Sequence, residues 1–208
     1  MSQEQKIIIN VGRQIGCGGR VIAQQLAREF NATFYDKELL QLASKESGFS
    51  ATFFEQNDEH KGFFKSLFHL QMPHVGNNSF YVNNFSQEGL FKFQSDAIRK
   101  AAQQGSCVFV GRCADYVLRD NPCCVNIFVT ASMDFRVAHV MERHGCTSEQ
   151  ARHLIEKGEA ERASYYNYYT GKRWGAAESY DLCADSSVLG IDRTARFIAQ
   201  FIKEKMTT

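Results

Sequence analysis

The sequence predicts an α/β domain in which a parallel five-stranded sheet carries helices on both faces, a three-layer arrangement. Short apolar runs alternate with segments of helical spacing along most of the chain. A glycine-rich turn at 12–20 joins the first apolar run to the first helical segment. The length of 208 residues suits one core with a smaller inserted lobe.

Five strands are expected, in the order 6–11, 33–35, 107–110, 124–129 and 182–184. The first helix is predicted by apolar residues at helical spacing after the glycine turn, namely Val21, Ile22, Leu26 and Ala27. The carboxyl ends of parallel strands meet at one edge of the sheet, and ligands of such sheets bind there. The glycine turn, Asp36 and Arg112 all fall at that edge.

The glycine turn predicts an anion site. A strand that enters a helix through glycines leaves backbone N–H groups unpaired at the helix N-terminus, where the helix dipole also favours negative charge. A nucleotide phosphate is the first ligand to consider, and a turn that binds nothing is the alternative. The turn departs from G-x-x-x-x-G-K-[ST], since Arg13 stands at the first glycine, Gly19 at the lysine and Arg20 at the hydroxyl residue. Arg13 or Arg20 would have to supply the missing charge.

Composition excludes some classes of protein. The chain has 24 Lys and Arg against 23 Asp and Glu, so its charge favours neither nonspecific nucleic-acid binding nor membrane binding. The start of the chain has no apolar region typical of a signal peptide, and no run is long enough to span a membrane, so a cytoplasmic location is expected.

The seven cysteines lack paired Cys-x-x-Cys spacing, and neither a disulfide framework nor a metal site is expected. Cys17 is the exception, because a helix N-terminus and two arginines could lower its pKa.

The segment 48–93 is interpreted as an inserted lobe between core segments 1–47 and 94–208 of a single domain, 1–208. Nine phenylalanines lie in it, at positions 53, 54, 63, 64, 68, 80, 85, 91 and 93. They predict a core of the lobe or a homodimer surface rather than a platform for a base.

Two further groups of residues point to phosphate chemistry. Arg112 follows an apolar strand in Gly-Arg-Cys-Ala-Asp115, where its planar fork of donors could grip a phosphate or base; the alternative is a surface pair with Asp115 or Asp120. Arginines at 136, 143, 152 and 162 lie on helices next to an aromatic run that ends at Trp174. Such spacing suits a lid that closes over a transferring phosphoryl group, and Arg162 is the arginine most favoured for that role. The alternative for some of the other arginines is an i, i+4 ion pair on a solvent-exposed helix face.

Taken together, these motifs resemble the cytidylate kinase-like family of P-loop nucleoside monophosphate kinase relatives. The resemblance covers nearly the whole chain. Five stretches carry it, in this order: the glycine turn with Ile22-Ala23 and Leu26-Ala27; the run 34–40; the run 108–115; Arg162-Ala-Ser-Tyr-Tyr166 with Thr170-Gly171 and Trp174; and the segment 180–192.

The resemblance implies a P-loop NTPase-like fold with an inserted monophosphate-binding lobe and a helical lid at 145–175. It further implies phosphoryl transfer from ATP with Mg²⁺ to CMP or dCMP. By analogy, Gly16, Cys17, Gly18, Gly19 and Arg20 would bind the donor phosphates, and Arg13, Arg20 and Arg162 would act in catalysis. Arg112 and Asp115 would line the acceptor site and Asp36 the acceptor or metal side, with a cap for a helix at 37–43 as the alternative role of Asp36.

Three departures from better-characterised cytidylate kinases leave a second hypothesis open. The lysine and hydroxyl of the loop are absent, Cys113 replaces an aspartate after Gly-Arg, and Glu159-Ala160 replaces an Asp-Lys pair. The alternatives are a kinase of another small phosphate acceptor, or a catalytically weak nucleotide-binding protein that regulates or scaffolds.

Overall fold

A computed structural model describes residues 6–36 and 87–207 of the chain. Strands and helices alternate in the order β1 (Ile8–Arg13), α1 (Gly19–Glu29), β2 (Thr33–Tyr35), α2 (Gln87–Gln104), β3 (Cys107–Val110), α3 (Ala114–Val117), β4 (Cys124–Thr130), α4 (Met133–His144), α5 (Ser148–Thr170), β5 (Leu182–Asp185), α6 (Ser186–Leu189) and α7 (Ile191–Thr207). A short 3₁₀ helix, Ala177–Ser179, precedes β5.

The five strands form one parallel sheet in the order β2-β3-β1-β4-β5. This confirms the predicted fold class and all five predicted strands. β1 begins and ends two residues later than expected, because Gly12 and Arg13 continue the pairing opposite Phe128 and Val129 of β4. β1 is central, so the segment that follows it enters the middle of the carboxyl edge.

Both faces of the sheet are covered by helices. Ile9 and Val11 of β1 pack into a buried cluster with residues of α1 and α7, including Ile22 and Ile198. Alternate residues point the other way, and Ile8 packs into a second cluster with residues of α2 and α3. Side chains on a strand alternate between faces, so a strand that is apolar on both sides requires this three-layer packing.

Helices α4 and α5 pack on each other beside the glycine turn. Val137 and Val140 of α4 are buried against Ala151 and Ile155 of α5, and Ile15 of the turn packs on the same cluster. α5 begins at a capping box between Thr147 and Gln150 and ends before Gly171, whose φ is 68°. The segment predicted as a lid, 145–175, therefore contains one 23-residue helix that lies against the turn.

The predicted inserted lobe lies largely outside the described residues. Residues 87–93 of it form the first turns of α2, and 48–86 are not described. The helix at 37–43 that Asp36 would cap also falls outside, and the homodimer surface predicted for the phenylalanines stays a prediction. Within 6–36 and 87–207, no helix is long and apolar enough to cross a membrane.

Candidate active site

A cavity of about 980 Å³ opens at the carboxyl edge of the sheet, where β1 and β3 end. Its walls come from the glycine turn, the start of α1, the turn after β3, and α4 and α5. The structure brings together there nine of the ten residues predicted for the site: Arg13, Gly16, Gly18, Gly19, Arg20, Asp36, Arg112, Asp115 and Arg162.

Cys17 is the exception, because its side chain points into the core. The thiol is fully buried, and its one hydrogen is shared between the carbonyl oxygens of Gln14 and Val129, which lie 3.0 Å and 3.3 Å from Sγ. Burial raises the pKa of Cys17, so the expected lowering of that pKa is wrong. The nearby arginines and the Gly19 N–H act in the expected direction, but burial outweighs them.

The glycine turn has a backbone that other residues could not adopt in this setting. Gly16 and Gly18 have φ values of +80° and +75°, in the left-handed region that side chains disfavour. A Cβ atom at Gly16 would lie 2.6 Å from the carbonyl oxygen of Arg136, and one at Gly18 would lie 2.5 Å from Cδ1 of Ile191. The glycines therefore let the turn pack closely between α4 and α7.

Hydrogen bonds from the end of β4 and the start of α6 hold the glycine turn in place. The Ser186 hydroxyl is fully buried and donates to the carbonyl oxygen of Cys17 at 2.6 Å. The Thr130 hydroxyl donates to the side-chain oxygen of Gln14 at 2.5 Å. α1 follows with no acidic residue in its first turn and no side-chain cap at Gly18. The turn is thus pre-ordered, and the N-terminus of α1 that it presents suits an anion.

Arg13 crosses the cavity from the end of β1 toward the turn after β3. A Cβ atom at Gly111 would lie 2.3 Å from Nη1 of Arg13, so the side chain depends on glycine there. Burial is the main cause that lowers the pKa of Arg13; the Asp36 carboxylate opposes this change, and the Arg112 cation adds to it. Arg13 at the end of β1 and Arg112 in the turn after β3 therefore place positive charge in the same part of the cavity.

Arg20 is ion-paired with Asp36. Its Nε lies 2.6 Å from Oδ2 of Asp36, which is buried, whereas the Arg20 side chain is 42% exposed. The guanidinium also lies 5.7 Å from the centre of the Phe34 ring. The charge of Arg20 is thus balanced within the protein, which makes it a weaker substitute for the missing lysine than Arg13.

Arg162 reaches the glycine turn from α5. Its Nη1 donates to the carbonyl oxygen of Arg13 at 2.8 Å. Burial and the Arg13 cation lower the pKa of Arg162 to about 9, and Glu159 opposes that change. The predicted lid arginine therefore lies at the turn.

Glu159 and Arg136 complete this corner. The backbone N–H of Ile15 donates to Oε1 of Glu159 at 2.6 Å. Nη1 of Arg136 lies 3.8 Å from Oε2 of Glu159. Burial raises the pKa of Glu159, although the hydrogen bond from the Ile15 N–H and the cations of Arg162 and Arg136 act to lower that pKa. Sequence reasoning did not assign Glu159 to the site; its i, i+3 spacing to Arg162 was the available signal.

The opposite wall of the cavity is aromatic and carries the half-buried carboxyl group of Asp115. Asp115 accepts a hydrogen bond from the Tyr166 hydroxyl at 2.6 Å, and burial is the main cause that raises its pKa. Trp174 and Tyr180 line the cavity and contact the Phe128 ring, with centroid distances of 5.2 Å and 4.9 Å. This wall offers flat apolar surface next to a hydrogen-bond acceptor.

The turn after β3 is strained. Gly111, Arg112 and Cys113 have consecutive positive φ values of 71°, 61° and 54°. A left-handed backbone costs energy in a non-glycine residue and is often retained at functional sites. Of the two aspartates named as alternative partners of Arg112, Asp115 accepts a hydrogen bond from Tyr166, and Oδ2 of Asp120 lies 3.8 Å from Nε of Arg119.

The donor set suits a phosphate better than a metal alone. No group of three or more His, Cys, Asp or Glu side chains in the described part of the chain could hold an ion. Mg²⁺ in nucleotide sites needs fewer protein ligands, because it is bound by one or two carboxylates and the substrate phosphates. Asp36, beside the turn through its contact with Arg20, could supply one such carboxylate.

The sheet order, the glycine turn and the arginines around it define a P-loop kinase-like fold. The chain belongs to the cytidylate kinase-like family, whose sequence pattern it matches over residues 8–188. A search of curated proteins finds no match.

Solved structures agree on the fold. An uncharacterized protein from Eubacterium ventriosum ATCC 27560 is 28% identical, with a TM-score of 0.71 over 95% of this chain and 99% of that chain. Shikimate kinase from Bacteroides thetaiotaomicron is 12% identical, with a TM-score of 0.55 over 96% of this chain and 99% of that chain. A gluconokinase from Sinorhizobium meliloti 1021 is 10% identical, with a TM-score of 0.52 over 96% of this chain and 93% of that chain. The last two similarities are to the fold.

Proposed function

We propose that this protein transfers the γ-phosphoryl group of ATP to a nucleoside monophosphate, with CMP and dCMP as the first acceptors to test. The observation that carries the proposal is one cavity that joins a pre-ordered glycine turn to Arg13, Arg112 and Arg162. Membership of a kinase-like family supports the same reaction class. A cytoplasmic location is part of the proposal.

In this reaction, an oxygen of the acceptor phosphate attacks the γ-phosphorus. The bond from that phosphorus to the bridging oxygen breaks, and ADP leaves. Little covalent chemistry falls to the protein, so positioning and charge neutralisation carry most of the catalysis. The backbone of 16–20 would hold the donor phosphates, and Arg13 and Arg162 would neutralise charge at the transferring group. Mg²⁺, when bound, supplies further neutralisation, and Asp36 would hold it together with the phosphates.

The acceptor would lie between the glycine turn and the aromatic wall. Arg112 suits its phosphate, because a guanidinium can make two parallel hydrogen bonds to phosphate oxygens. A planar base fits against Trp174 and Tyr180, and the Asp115 carboxyl group is an acceptor for a donor on that base or on a sugar. The same wall admits a smaller hydroxylated acceptor, so the test includes shikimate and gluconate.

A catalytically weak nucleotide-binding protein is the second candidate. It is favoured by Gly19 at the position of the usual lysine and by Arg20, whose charge Asp36 already balances. A protein that only senses a nucleotide has no need of an arginine that reaches the phosphate site from a covering helix, and Arg162 does so. We therefore place the enzyme first.

The proposal is tested by ADP release from ATP and Mg²⁺ against a panel of nucleoside monophosphates, shikimate and gluconate. Wild type is compared with Arg20→Ala, Arg162→Ala and a control, Arg119→Ala, whose side chain pairs with Asp120 away from the cavity. Turnover with CMP or dCMP should fall at least about 10²-fold in Arg162→Ala, a larger factor than the accompanying fall in ATP affinity. Arg20→Ala should also lose turnover, and the control should match wild type. Saturable ATP binding with no turnover for any acceptor would move the assignment to the binding protein.

A further inference from the structure

Glu159 lies directly behind the wall of the cavity, where three parts of the structure meet. It is carried by α5, its Oε1 accepts the Ile15 N–H of the glycine turn at 2.6 Å, and its Oε2 lies 3.8 Å from Nη1 of Arg136 on α4. Its side chain is 17% exposed and that of Arg136 is 8% exposed. A carboxyl group buried to this extent is costly unless it is paired and hydrogen-bonded, as this one is.

Two of the partners of Glu159 face the cavity, whereas Glu159 and Arg136 do not. Ile15 and Arg162 both line the cavity. Nη1 of Arg162 lies 3.9 Å from Oε1 of Glu159 and donates to the carbonyl oxygen of Arg13. One carboxyl group thus restrains both a residue of the phosphate-binding turn and the arginine that α5 brings to it.

Several guanidinium donors of Arg162 and Arg136 remain without a hydrogen bond although Glu159 lies near both residues. Nε of Arg162 is buried and has no hydrogen-bond partner among the described residues, and the same holds for Nε and Nη1 of Arg136. Buried guanidinium donors without partners are unfavourable, so these arginines are held in place by their surroundings and not by saturated hydrogen bonding. Glu159 is the carboxyl group that both of them approach.

We infer that Glu159 is a positioning residue: by accepting the Ile15 N–H and holding Arg162 and Arg136, it sets Arg162 against the glycine turn so that both engage one phosphate group. This inference rests on the proposed function only in taking the cavity as a phosphate site. Glu159 touches neither substrate nor reacting atoms, and it acts through Ile15 and Arg162.

Two physical effects of removing this carboxyl group oppose each other and can be separated. Loss of a negative charge among arginines would by itself attract anions more strongly. Loss of the restraint would release Arg162 and the turn and would weaken anion binding, because pre-ordered donors no longer converge. Our inference predicts that the second effect is the larger.

The experiment measures binding of inorganic triphosphate by calorimetry at fixed ionic strength in wild type, Glu159→Gln and Glu156→Gln. Glu156 is exposed on the same helix, so its substitution makes the same charge change without the contacts. Affinity should fall at least fivefold in Glu159→Gln and stay within twofold of wild type in Glu156→Gln. Unchanged or tighter binding in Glu159→Gln would overturn the inference.

A double-mutant cycle separates positioning from general loss of structure. In an Arg162→Ala background, Glu159→Gln should change triphosphate affinity by less than twofold, because the substituted side chain keeps an oxygen that can accept the Ile15 N–H and Arg162 is no longer there to be released. Additive losses would contradict the inference. If wild type turns over an acceptor, Glu159→Gln should lower kcat at least tenfold with KM for that acceptor within twofold. Absence of turnover in wild type would count against the proposed function, while the binding comparison would still decide the role of Glu159.

Discussion

The arginines around the glycine turn differ in how far the protein itself balances their charge. Arg20 forms a short ion pair with Asp36, and its guanidinium is partly in solvent. Arg13 is enclosed, lies near Arg112, and has a lowered pKa. Arg162 contacts the backbone of Arg13 and the carboxyl group of Glu159. Under the proposed function, Arg13 and Arg162 would therefore supply most of the charge that a phosphate meets.

Asp115 gives a prediction about pH. Burial raises its pKa in the folded protein, so between its unfolded and folded pKa values the folded state binds more protons. Its contribution to stability is then present at low pH and lost as pH rises through the folded pKa. The side chain of Asp115→Asn does not titrate, so its contribution to stability does not vary with pH. Its amide oxygen can still accept the hydrogen bond from the Tyr166 hydroxyl.

The free energy of unfolding of Asp115→Asn, relative to wild type, should accordingly become larger as pH rises from about 4, near the ordinary aspartate pKa, to about 8. Urea denaturation at both pH values measures it. Asp120→Asn, at a carboxylate that is 91% exposed, serves as the control and should follow wild type. A relative stability of Asp115→Asn that falls with pH would show that the sign is wrong.

The cysteines give a chemical test of burial. Cys17, Cys107 and Cys113 are at most 3% exposed, and burial raises the pKa of each. Cys183 is exposed. Iodoacetamide should modify Cys183 in the native protein and leave the three buried thiols unmodified until denaturant is added. Mass spectrometry of peptides reads the result; early labelling of Cys17 would contradict the described orientation of its thiol.

At this scale the sequence predicted which residues gather at the site better than where their side chains point. Arg13, Arg112 and Arg162 line the cavity, as predicted. Their placement could be predicted because the pattern of apolar residues shows where strands end and how helical residues are spaced. Cys17 could not be placed in this way. Its thiol turns inward to two carbonyl oxygens, and that choice depends on the three-dimensional path of the turn.

At the scale of elements, the glycine turn is the most constrained part of the site. Gly16 combines a positive φ with a backbone oxygen of α4 where its Cβ atom would be. The sequence indicated the turn and its glycines, but the packing of Arg136 against Gly16 could not be predicted, since it depends on how α4 approaches the turn.

Gly16→Ala should therefore reduce the free energy of unfolding by about 2 kcal/mol or more, from backbone strain and displacement of α4. It should also weaken triphosphate binding. Gly105→Ala is the matched control: a Cβ atom there meets nothing within 4 Å, and its effect should stay within about 0.5 kcal/mol. Denaturant unfolding measures both. A Gly16→Ala protein as stable as the control would contradict the close contact.

Helix α5 connects the two sides of the cavity. Glu159 and Arg162 hold the glycine turn, while Tyr166, one turn further on, holds Asp115 on the opposite wall. The sequence predicted the segment and its arginine from their spacing. It could not predict that the helix lies against the turn, because that depends on the cluster formed by Val137, Ile155 and Ile15.

At the scale of the whole molecule, strand order decides where the site forms. β1 lies between β3 and β4, so its carboxyl end opens into the centre of the edge, with helices on both faces. Apolar alternation and the glycine turn were enough to predict a parallel sheet and the edge at which the cavity opens, but the strand order was not predicted. Acceptor identity was not predictable, because it depends on a few contacts from the cavity walls and from the segment 48–86.

The central claim is that this cavity transfers a phosphoryl group, and transfer of a labelled γ-phosphate tests it most directly. The purified protein is incubated with γ-labelled ATP, Mg²⁺ and each acceptor of the panel, and products are identified by mass spectrometry. The account predicts labelled CDP or dCDP with wild type and at least about 10²-fold less with Arg162→Ala. ATP that binds but yields no labelled product with any acceptor would contradict it.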